Sequence, residues 1–484
     1  MRPPKTARRE SSRRLSPRIV ESIAGFIPTA KFFFDFLIAL EPLSLLGDLQ
    51  HFLDLARLDR QADSAKVRRH DLWPELHVRW LDTSVVEHIE HVAKYFKTVH
   101  FHLVFDLDLI DKCIPRHISL ALYGWPTAEE ISTPMTEWCA RLASMNVSHV
   151  AFADVDTAGV DEGGQALVTL LPQFSSLESL NLEEVHAEYM SDAMGFLCSS
   201  QLRRLALGSY EHPVVLTAEF AWGLSVWLKR EPVISVSLAY CTVADDHDAT
   251  MHSFYKALFT SGVESIHLNN CKLTHLETCS FAKPLDVTQL TLESTQLTDK
   301  ECRVLFDGLK DATTKELVLD DMIFSQQTAG SLAKGLRKSK LATLAITNSR
   351  LDDEGCALLA EALPHSSLVK LKLTKNRLMD SSVVHIANAI VDARHLRRLN
   401  LSRNMIQFAG AVALVQSAGR RIEPLDVLNL TGIVVNKDTT DFLKAMAADL
   451  PMLKRYYIRA NGSMYGAMQE MKHQLEAQMD VRVA

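Results

Sequence analysis

The residues with the clearest chemical potential lie in the segment VVEHIEHVAKYF, which contains Glu87, His88, Glu90 and His91. On a helix, His88 and His91 are separated by about one turn, so both imidazoles could face one metal ion. No HExxH pattern and no third ligand accompany them in the sequence. We therefore predict a solvated helix face at this segment and no metal site.

The acidic run DDHD at residues 245–248 is a second candidate for cation binding. Acidic residues are favourable at the first turn of a helix, where the helix dipole is positive. Because this run separates a strand pattern from a helical pattern, we predict that it forms a solvated loop or a helix start.

The cysteine and glycine patterns do not indicate catalysis. The eight cysteines occur singly, without the CxxC spacing that brings two thiolates onto one zinc ion or into a redox motif. They are Cys113, Cys139, Cys198, Cys241, Cys271, Cys279, Cys302 and Cys356. No GxSxG elbow or Cys/His pair is readable, and no glycine lies in a GxxxxGK[ST] or GxGxxG array. The sequence therefore predicts reduced thiols, no enzyme activity and no cofactor.

Charge is unevenly distributed along the 484 residues. The formal net charge is −7, but residues 1–18 hold seven basic residues and one acid, so the remainder carries −13. An acidic body argues against nucleic-acid binding, because phosphate contacts need a basic surface. Residues 1–14 are predicted to form a disordered basic tail, with a transit peptide or a nuclear address as alternatives.

No membrane segment is predicted. The apolar stretch at residues 23–46 is interrupted by Lys31, Asp35 and Glu41 and by two prolines, whereas a spanning helix needs about 20 nearly uncharged residues. The N-terminal residues also lack the apolar core of a secretory signal. We expect an intracellular protein, either cytoplasmic or nuclear, that does not bind a membrane.

An internal repeat organises most of the chain. A block of the form LxxLxLxxNxL recurs at intervals of 24 to 31 residues, with LVKLKLTKNRL and LRRLNLSRNMI as its clearest copies. The blocks begin at Val147, Leu177, Leu202, Val233, Val263, Val287, Thr314, Leu341, Leu368, Leu396, Leu425 and Leu453.

Each repeat combines two periodicities. Alternating apolar residues such as Leu371 and Leu373 predict a short strand with one buried face. The following segments have helical spacing, as in LDDEGCALLAEALPHSS, where an aspartate can cap the helix. The repeat resembles the leucine-rich repeat of the ribonuclease-inhibitor type. This resemblance implies an α/β solenoid, a horseshoe with parallel inner strands and outer helices.

The chain departs from this family where the repeat prefers asparagine. Asn376 and Asn404 match, whereas other copies have Val185, Tyr210, Cys241, Cys271, Thr295, Met322, Ser349 and Ile433. Thr, Ser and Cys can replace some hydrogen bonds of the asparagine. Val, Met and Ile cannot, so we expect some of the turns to be irregular.

Weaker patterns flank the repeats. The alternations Leu76/Val78, Val99/Phe101 and Ile118/Leu120 predict degenerate repeats at 73–146, before a main solenoid at 147–461. Residues 462–484 are predicted to form a capping helix through the stripe Tyr465, Met468, Met471, Leu475 and Met479. A partner site on this stripe is the alternative.

Residues 15–72 lie outside the repeat and begin with a predicted helical hairpin at 15–40. The hairpin resembles the F-box through Leu15, Ile19, Val20, Ile23, Phe26, Ile27, Phe32 and Phe33. Pro17 is one residue late, Lys31 replaces the usual acidic residue, and the phrase HDLWPEL resembles the tryptophan ending of F-box segments at a longer spacing. The resemblance implies that these residues bind a Skp-family adaptor and, through it, a cullin. The alternative is a hairpin that only caps the first repeat.

The repeat register also predicts which strand side chains face outward. These positions become basic toward the C-terminus, and the predicted partner-binding residues are Glu293, Glu316, Asp320, Asp321, Lys370, Lys372, Lys375, Arg397, Arg398 and Arg403. Charges so arranged can orient a protein ligand. An ordinary solvated face is the alternative.

These observations predict a non-catalytic receptor. Its repeats would bind a protein target, and the F-box resemblance implies the substrate-recognition subunit of an SCF-type (Skp, cullin, F-box) ubiquitin ligase. The alternatives are a leucine-rich-repeat scaffold or inhibitor with no ubiquitin link, and a GTPase-activating protein of the Ran type. The last is disfavoured because those proteins usually end in a long acidic tail, whereas this sequence ends QLEAQMDVRVA.

Overall fold

A computed structural model of the chain describes residues 16–58, 68–152, 160–230, 232–244, 248–279, 281 and 283–461. The chain divides into two compact units between Tyr189 and Met190, inside the predicted 147–461 solenoid. The predicted tail, Leu15, residues 245–247 of the acidic run and the predicted capping helix lie outside the described residues.

The first unit contains a helical N-terminal segment followed by strand–helix repeats. Its helices are α1 (Pro17–Ala24), α2 (Ala30–Leu40), α3 (Gln50–Leu58), α4 (Arg69–Leu72), α5 (Thr83–Ala93), α6 (Leu107–Cys113), α7 (Met135–Ala143) and α8 (Val160–Leu170). Its strands are β1 (Leu76–Val78), β2 (Thr98–His102), β3 (Ser119–Tyr123), β4 (Val147–Ala151) and β5 (Ser179–Leu182). The strands pair in parallel and in chain order.

An aromatic core holds the N-terminal helices together. Phe33 on α2 and Phe52 on α3 are fully buried and meet edge to face, with ring centroids 5.1 Å apart. Trp73 stacks on Phe33 at 4.1 Å, and its indole N–H donates to the carbonyl of Ile27 at 2.6 Å. The tryptophan of the HDLWPEL phrase therefore closes the core of this segment.

The second unit continues the same alternation. Its helices are α9 (Met190–Ser199), α10 (Ala218–Arg230), α11 (Asp248–Thr260), α12 (Asp299–Asp307), α13 (Gln326–Leu336), α14 (Asp353–Ala362), α15 (Asp380–Asp392), α16 (Phe408–Gly419) and α17 (Lys437–Ala448).

The strands of the second unit fall into two sheets. The long parallel sheet contains β6 (Arg204–Leu207), β8 (Ser235–Ala239), β10 (Val263–Asn269), β11 (Val287–Glu293), β12 (Glu316–Asp320), β13 (Thr343–Thr347), β14 (Lys370–Lys372), β15 (Arg398–Asn400), β16 (Val427–Ile433) and β17 (Tyr456–Ala460). A short parallel pair contains β7 (Val214–Leu216) and β9 (Cys241–Val243). The predicted strand–turn–helix repeat with parallel strands is confirmed.

The core lies between the strands and the helices of each repeat. Leu371, Leu399 and Leu428 occupy equivalent places on β14, β15 and β16, and all three are buried. Ile386 on α15 and Leu414 on α16 close the core from the helix side and are also buried. Each such side chain stabilises the fold by roughly 2 kcal/mol relative to an exposed one.

A ladder of buried side chains joins the turns that follow the strands. The side chain of Asn404 accepts from the backbone N–H groups of Asn376 and Leu378 and donates to the carbonyl of Leu373 at 2.7 Å. Asn376 in turn accepts from the backbone N–H of Ser349 at 2.9 Å. Each rung therefore satisfies backbone groups of the preceding repeat, which would otherwise be buried without partners.

Smaller side chains continue the ladder where asparagine is missing. The hydroxyl of Ser349 accepts from the backbone N–H of Met322. The hydroxyl groups of Thr295 and Ser349 each contact, as donors, one carbonyl in their own repeat and one in the preceding repeat. The thiol of Cys271 contacts the carbonyl of Leu238 at 3.2 Å. The predicted replacement of asparagine by Ser, Thr and Cys is thus observed.

Each turn that follows a strand of the long sheet from β8 to β15 contains a residue in the left-handed conformation, with φ between 46° and 60°. These residues are Tyr240, Asn270, Ser294, Asp321, Asn348, Lys375 and Arg403. The turn at Met322 keeps this conformation although Met322 cannot form a rung, so its backbone is regular. At Ile433 the expected irregularity occurs, because the strand register shifts between Thr431 and Ile433.

A second set of hydrogen bonds joins the starts of neighbouring helices. Asp299 on α12 accepts from the hydroxyl of Thr328 on α13 at 2.7 Å, and Asp353 on α14 accepts from that of Ser381 on α15 at 2.6 Å. Asp380 accepts from the backbone N–H of Gln407 at 2.7 Å. Consecutive repeats are therefore cross-linked along both the strand edge and the helix edge.

Substitution of Asn404 tests the ladder. In Asn404→Ala the N–H groups of Asn376 and Leu378 lose their acceptor, so we expect the free energy of unfolding of the second unit to fall by about 3 kcal/mol. Urea denaturation followed by circular dichroism measures this loss. Asn404→Ser should retain part of the stability, because Ser349 occupies the equivalent rung. A loss below about 0.5 kcal/mol in Asn404→Ala would contradict the role of the ladder.

Candidate functional site

The outward face of the long sheet in the second unit carries the predicted charged residues. Glu316, Thr343, Lys370 and Arg398 are register partners on β12 to β15. Neighbouring strands are about 4.8 Å apart, so these side chains form one row across the sheet. The register therefore brings residues that are widely separated in sequence onto one surface.

An acidic cluster occupies β11 and β12 and the turn after them. Glu293 is the register partner of Asp320, and burial together with the charge of Glu293 raises the pKa of the Asp320 carboxyl. Glu293 also pairs with His267 at 3.1 Å. Asp321 lies at the left-handed turn position and accepts from the side chains of Ser294 and Asn348. Glu293, Glu316, Asp320 and Asp321 together form the acidic cluster.

A basic cluster occupies the strands from β14 onward. Lys370, Lys375, Arg398 and Arg403 are exposed and Lys372 is half-buried. None of the five forms a salt bridge with a carboxylate of the described residues, although the charge of Lys372 opposes the rise in the pKa of the Asp320 carboxyl and the charge of Arg398 helps to lower the pKa of the Asp426 carboxyl.

Two positions differ from the sequence-based set. Arg397 precedes β15, and its guanidinium donates to the side chain of Glu423 and to the carbonyl of Pro424, both at 3.0 Å. These bonds fix the backbone just before β16, so Arg397 is not part of the basic cluster. Arg459 on β17 is exposed on the outward face beside Thr431, and the repeat register of the last copy could have identified it.

One uncharged strand separates the two clusters. The outward residues of β13 are Thr343, Ala345 and Thr347. Thr343 lies between Glu316 and Lys370, and Thr347 lies between Asp320 and the turn of the next repeat. Because Glu316 and Lys370 are two strand spacings apart, about 10 Å, they do not neutralise each other by direct contact. This surface can therefore attract both a basic and an acidic group of one ligand.

The N-terminal hairpin exposes large apolar side chains. Phe26 is 87% exposed and Phe32 62% exposed, and Ile19 and Ile23 on α1 are also exposed. Such an apolar cluster is unusual on the surface of a monomeric protein and is typical of interaction sites. We call these four residues the hairpin patch.

The structure separates the predicted adaptor-binding residues into two groups. Pro17 is exposed and Ile27 half-buried, whereas Val20 and Phe33 are fully buried in the helical core. Because Val20 and Phe33 are buried, they support the fold and are not part of the exposed hairpin patch. Leu15 lies outside the described residues.

A cluster of aromatic and imidazole rings lies on the strands of the first unit and was not predicted from the sequence. His77 on β1 contacts His102 at 2.9 Å and stacks on His100. Tyr123 on β3 stacks on His102 at 4.6 Å and contacts His149 on β4. Only parallel pairing of β1 to β4 brings these rings together, because the sequence places them in separate repeats.

The imidazoles of His88 and His91 have a third neighbour that the sequence did not indicate. His51 on α3 lies 2.8 Å from His88 between their Nδ1 atoms and stacks on His91 at 4.1 Å. The prediction of no metal site at this segment rests on the missing HExxH pattern and the missing third ligand. The structure places a third imidazole here from another helix.

Four of the cysteines carry little nucleophilic potential. All eight are free, and seven of them are buried. Burial raises the pKa of Cys113, Cys139, Cys302 and Cys356 to about 12, so these thiols stay protonated at neutral pH.

The repeated units, their parallel strands and the shared turn ladder define the class of this chain: it is an α/β leucine-rich-repeat solenoid. No protein-family model matches the sequence. No curated protein matches it either. Among the described residues, no helix combines the length and the apolar character needed to cross a bilayer.

Among solved structures, the chain is similar to one titled "Crystal structure of TLR13-ssRNA13 complex". The two share 16% identity over 74% of this chain, with a TM-score of 0.41. The chain spans 45% of the length of that protein. The assignment of the fold rests on the strand register and the ladder of this chain itself.

The imidazole cluster on β1 to β4 predicts acid sensitivity of the first unit. Burial, followed by the charges of Arg79 and His77, lowers the pKa of His102 to about 4, and burial also lowers the pKa of His100. An unfolded histidine has a pKa near 6.5, so below that pH the unfolded chain binds more protons. We expect the stability contributed by these neutral imidazoles to be present above pH 6.5 and to be lost progressively toward pH 4.

Hydrogen exchange of peptides from β2 and β3, measured between pH 7 and pH 5 and corrected for intrinsic rates, tests this expectation. Protection should fall with pH in the parent chain and fall less in His102→Gln. The exposed His365 of the second unit provides the control variant His365→Gln. An equal pH response in the parent and in His102→Gln would contradict the assignment.

Proposed function

We propose that this chain is a non-catalytic binding protein whose repeat face in the second unit recognises a protein ligand. The observation that carries the proposal is the pair of clusters of opposite charge on one parallel sheet, separated by the neutral strand β13. Their order along the sheet distinguishes one orientation of a charged ligand from the other. Complementary charges raise association rates and exclude wrongly charged partners.

The chemistry of the basic cluster supports a protein ligand with an acidic segment. Lys370, Lys372 and Arg398 project from two neighbouring strands and form no salt bridge with a carboxylate of the described residues. The acidic cluster, which includes Asp320 and Glu316, would accept a basic segment of the same ligand. Leucine-rich repeats of the ribonuclease-inhibitor type, which this repeat resembles, present their strands as such a recognition surface.

We further propose that the hairpin patch binds a Skp-family adaptor and thereby connects the chain to a cullin-containing ubiquitin ligase. The F-box resemblance of residues 15–40 suggests this partner, and the exposure of Phe26 and Phe32 supports it. Aromatic side chains of this kind commonly supply the centre of a protein interface. The mechanism would be proximity: the repeats hold a target at high effective concentration near the ubiquitin carrier.

Charge reversal tests the repeat face. The triple variant Lys370→Glu, Lys372→Glu and Arg398→Glu should weaken binding of the protein ligand at least about tenfold, because attraction is replaced by repulsion. Proteins captured from cell extract by the intact chain are identified, purified and titrated against each variant at several salt concentrations. Calorimetry or surface plasmon resonance provides the affinities.

A matched control keeps the charge change and moves it to the helix layer. Lys300→Glu, Arg303→Glu and Lys310→Glu alter exposed residues on or after α12 by the same total charge. Binding should persist in this control. Equal loss in both triple variants would mean that net charge, rather than the basic cluster, controls binding, and no loss in either would contradict the proposal.

Substitution of the hairpin patch tests the adaptor. The intact chain should associate with a purified Skp-family adaptor, and the double variant Phe26→Ser and Phe32→Ser should bind at least about tenfold more weakly. Ile323 and Ile422 of the second unit are 89% and 71% exposed, so Ile323→Ser and Ile422→Ser form the control. No association of the intact chain would remove the ubiquitin link and leave a repeat scaffold or inhibitor.

A further inference from the structure

The helices α3 and α5 bring together side chains that are typical metal ligands. His51 and Asp54 lie three residues apart on α3, and His88 and His91 lie three residues apart on α5. Asp48 lies just before α3. Side chains at this spacing project from the same face of a helix, so the two facing helices present three imidazoles and two carboxylates to one small volume.

Two overlapping sets of three ligands can be drawn in this cluster, and both include His51. One set is His51, Asp54 and His88, and the other is Asp48, His51 and His91. Within each set, one potential ligand atom from each residue lies within 4.8 Å of the others. The charges and ring orientations around them distinguish the two sets.

The set containing Asp48 is poorly arranged for a cation. The ammonium group of Lys94 already forms an ion pair with Asp48 and would repel a metal ion. The rings of His51 and His91 are also parallel, with an interplanar angle of 3° and centroids 4.1 Å apart. Nitrogen lone pairs lie in the planes of their rings, so those of two stacked rings do not converge on one point.

The set containing Asp54 has the favourable arrangement. The rings of His51 and His88 are inclined at 55°, and their Nδ1 atoms are 2.8 Å apart. Gln50 and Arg57 both contact Oδ1 of Asp54, so Oδ2 has no partner among the described residues and can bind a metal ion. The guanidinium of Arg57 lies 3.8 Å from Asp54, and its charge is already paired with Glu41 at 2.6 Å. Two nitrogens bound to one tetrahedral zinc ion are about 3.3 Å apart, so on binding of the ion the Nδ1 atoms would separate by about 0.5 Å and the proton shared between them would be displaced.

We propose that His51, Asp54 and His88 bind one Zn²⁺ ion, with solvent in the remaining coordination position. Imidazole and carboxylate ligands suit zinc, whereas Mg²⁺ and Ca²⁺ prefer sets made entirely of oxygen. All three side chains are half-buried, which leaves a path for the ion to enter.

The position of this site indicates a structural role. Helix α3 belongs to the N-terminal helical segment, and α5 is the first helix that follows a repeat strand. A zinc ion shared by His88 and the two ligands on α3 would fasten these two helices together. Binding of the ion to the folded chain alone would raise its apparent stability in proportion to the logarithm of free zinc.

Calorimetric titration of the full chain with ZnCl₂ tests the proposal. The protein should carry no affinity tag, should be stripped with a chelator beforehand, and should be titrated at pH 7.5. We expect one equivalent of zinc to bind and the melting temperature to rise with zinc. His51→Ala, His88→Ala and Asp54→Asn should each weaken binding at least about tenfold. Circular dichroism of each variant reports whether it remains folded.

Control variants distinguish this site from its neighbours. His91→Ala and Asp48→Asn should keep zinc affinity within about threefold of the parent, and so should His100→Ala, which alters the separate set Glu75, His77 and His100 on the strand face. Undiminished binding in both His51→Ala and His88→Ala would overturn the proposal. So would a loss of binding in His91→Ala that is absent in His88→Ala, because the ion would then occupy the other set.

If His88→Ala fails to fold, His88→Gln provides the second test, since it preserves hydrogen bonding but is a weak zinc ligand. Visible absorption of the Co²⁺-substituted protein gives an independent measure of the ligands. Bands of tetrahedral intensity should appear in the parent chain and disappear in the His88 variant. A spectrum identical to that of Co²⁺ in buffer, together with no calorimetric signal, would also overturn the proposal.

Discussion

The turn that follows each strand is the constraint on which the rest of the structure depends. The chain leaves the strand through a left-handed residue, and the backbone groups of that turn are buried, so they need partners. Asn404, Asn376 and Ser349 supply those partners from the next repeat along the chain. Since each rung spans two repeats, the turn fixes the register of neighbouring strands as well as its own shape. Burial of leucines then follows from that register.

Fixed register converts a linear sequence into a charged surface. Lys370 and Arg398 are 28 residues apart in the chain but are direct partners on adjacent strands. The same alignment places Glu293 beside Asp320 and raises the pKa of the Asp320 carboxyl. The proposed ligand site therefore depends on the ladder, and Lys375 and Arg403 directly precede the rung residues Asn376 and Asn404. In the first unit, parallel pairing likewise collects imidazoles from separate repeats into one cluster.

Periodicity explains what the sequence predicted and what it did not. The strands, the helices and the outward direction of Glu316 and Lys370 repeat at a constant interval, so they could be read from a single chain. The repeat register predicts Arg397 on the open face, but its bond to Glu423 depends on a loop without periodicity. The contact between His51 and His88 was not readable either, because it joins two helices that are 37 residues apart and belong to no common repeat.

The shared rungs also determine how such a chain can change its length. Ser349, Asn376 and Asn404 are separated by 27 and 28 residues. Loss or duplication of one complete repeat therefore rejoins equivalent turns and preserves a continuous ladder. A deletion of another size would break it. Loss of the single repeat that contains β13 would place Lys370 directly beside Glu316 and allow the two charges to neutralise each other. The number of repeats between the clusters is therefore itself a determinant of which molecules the surface can distinguish.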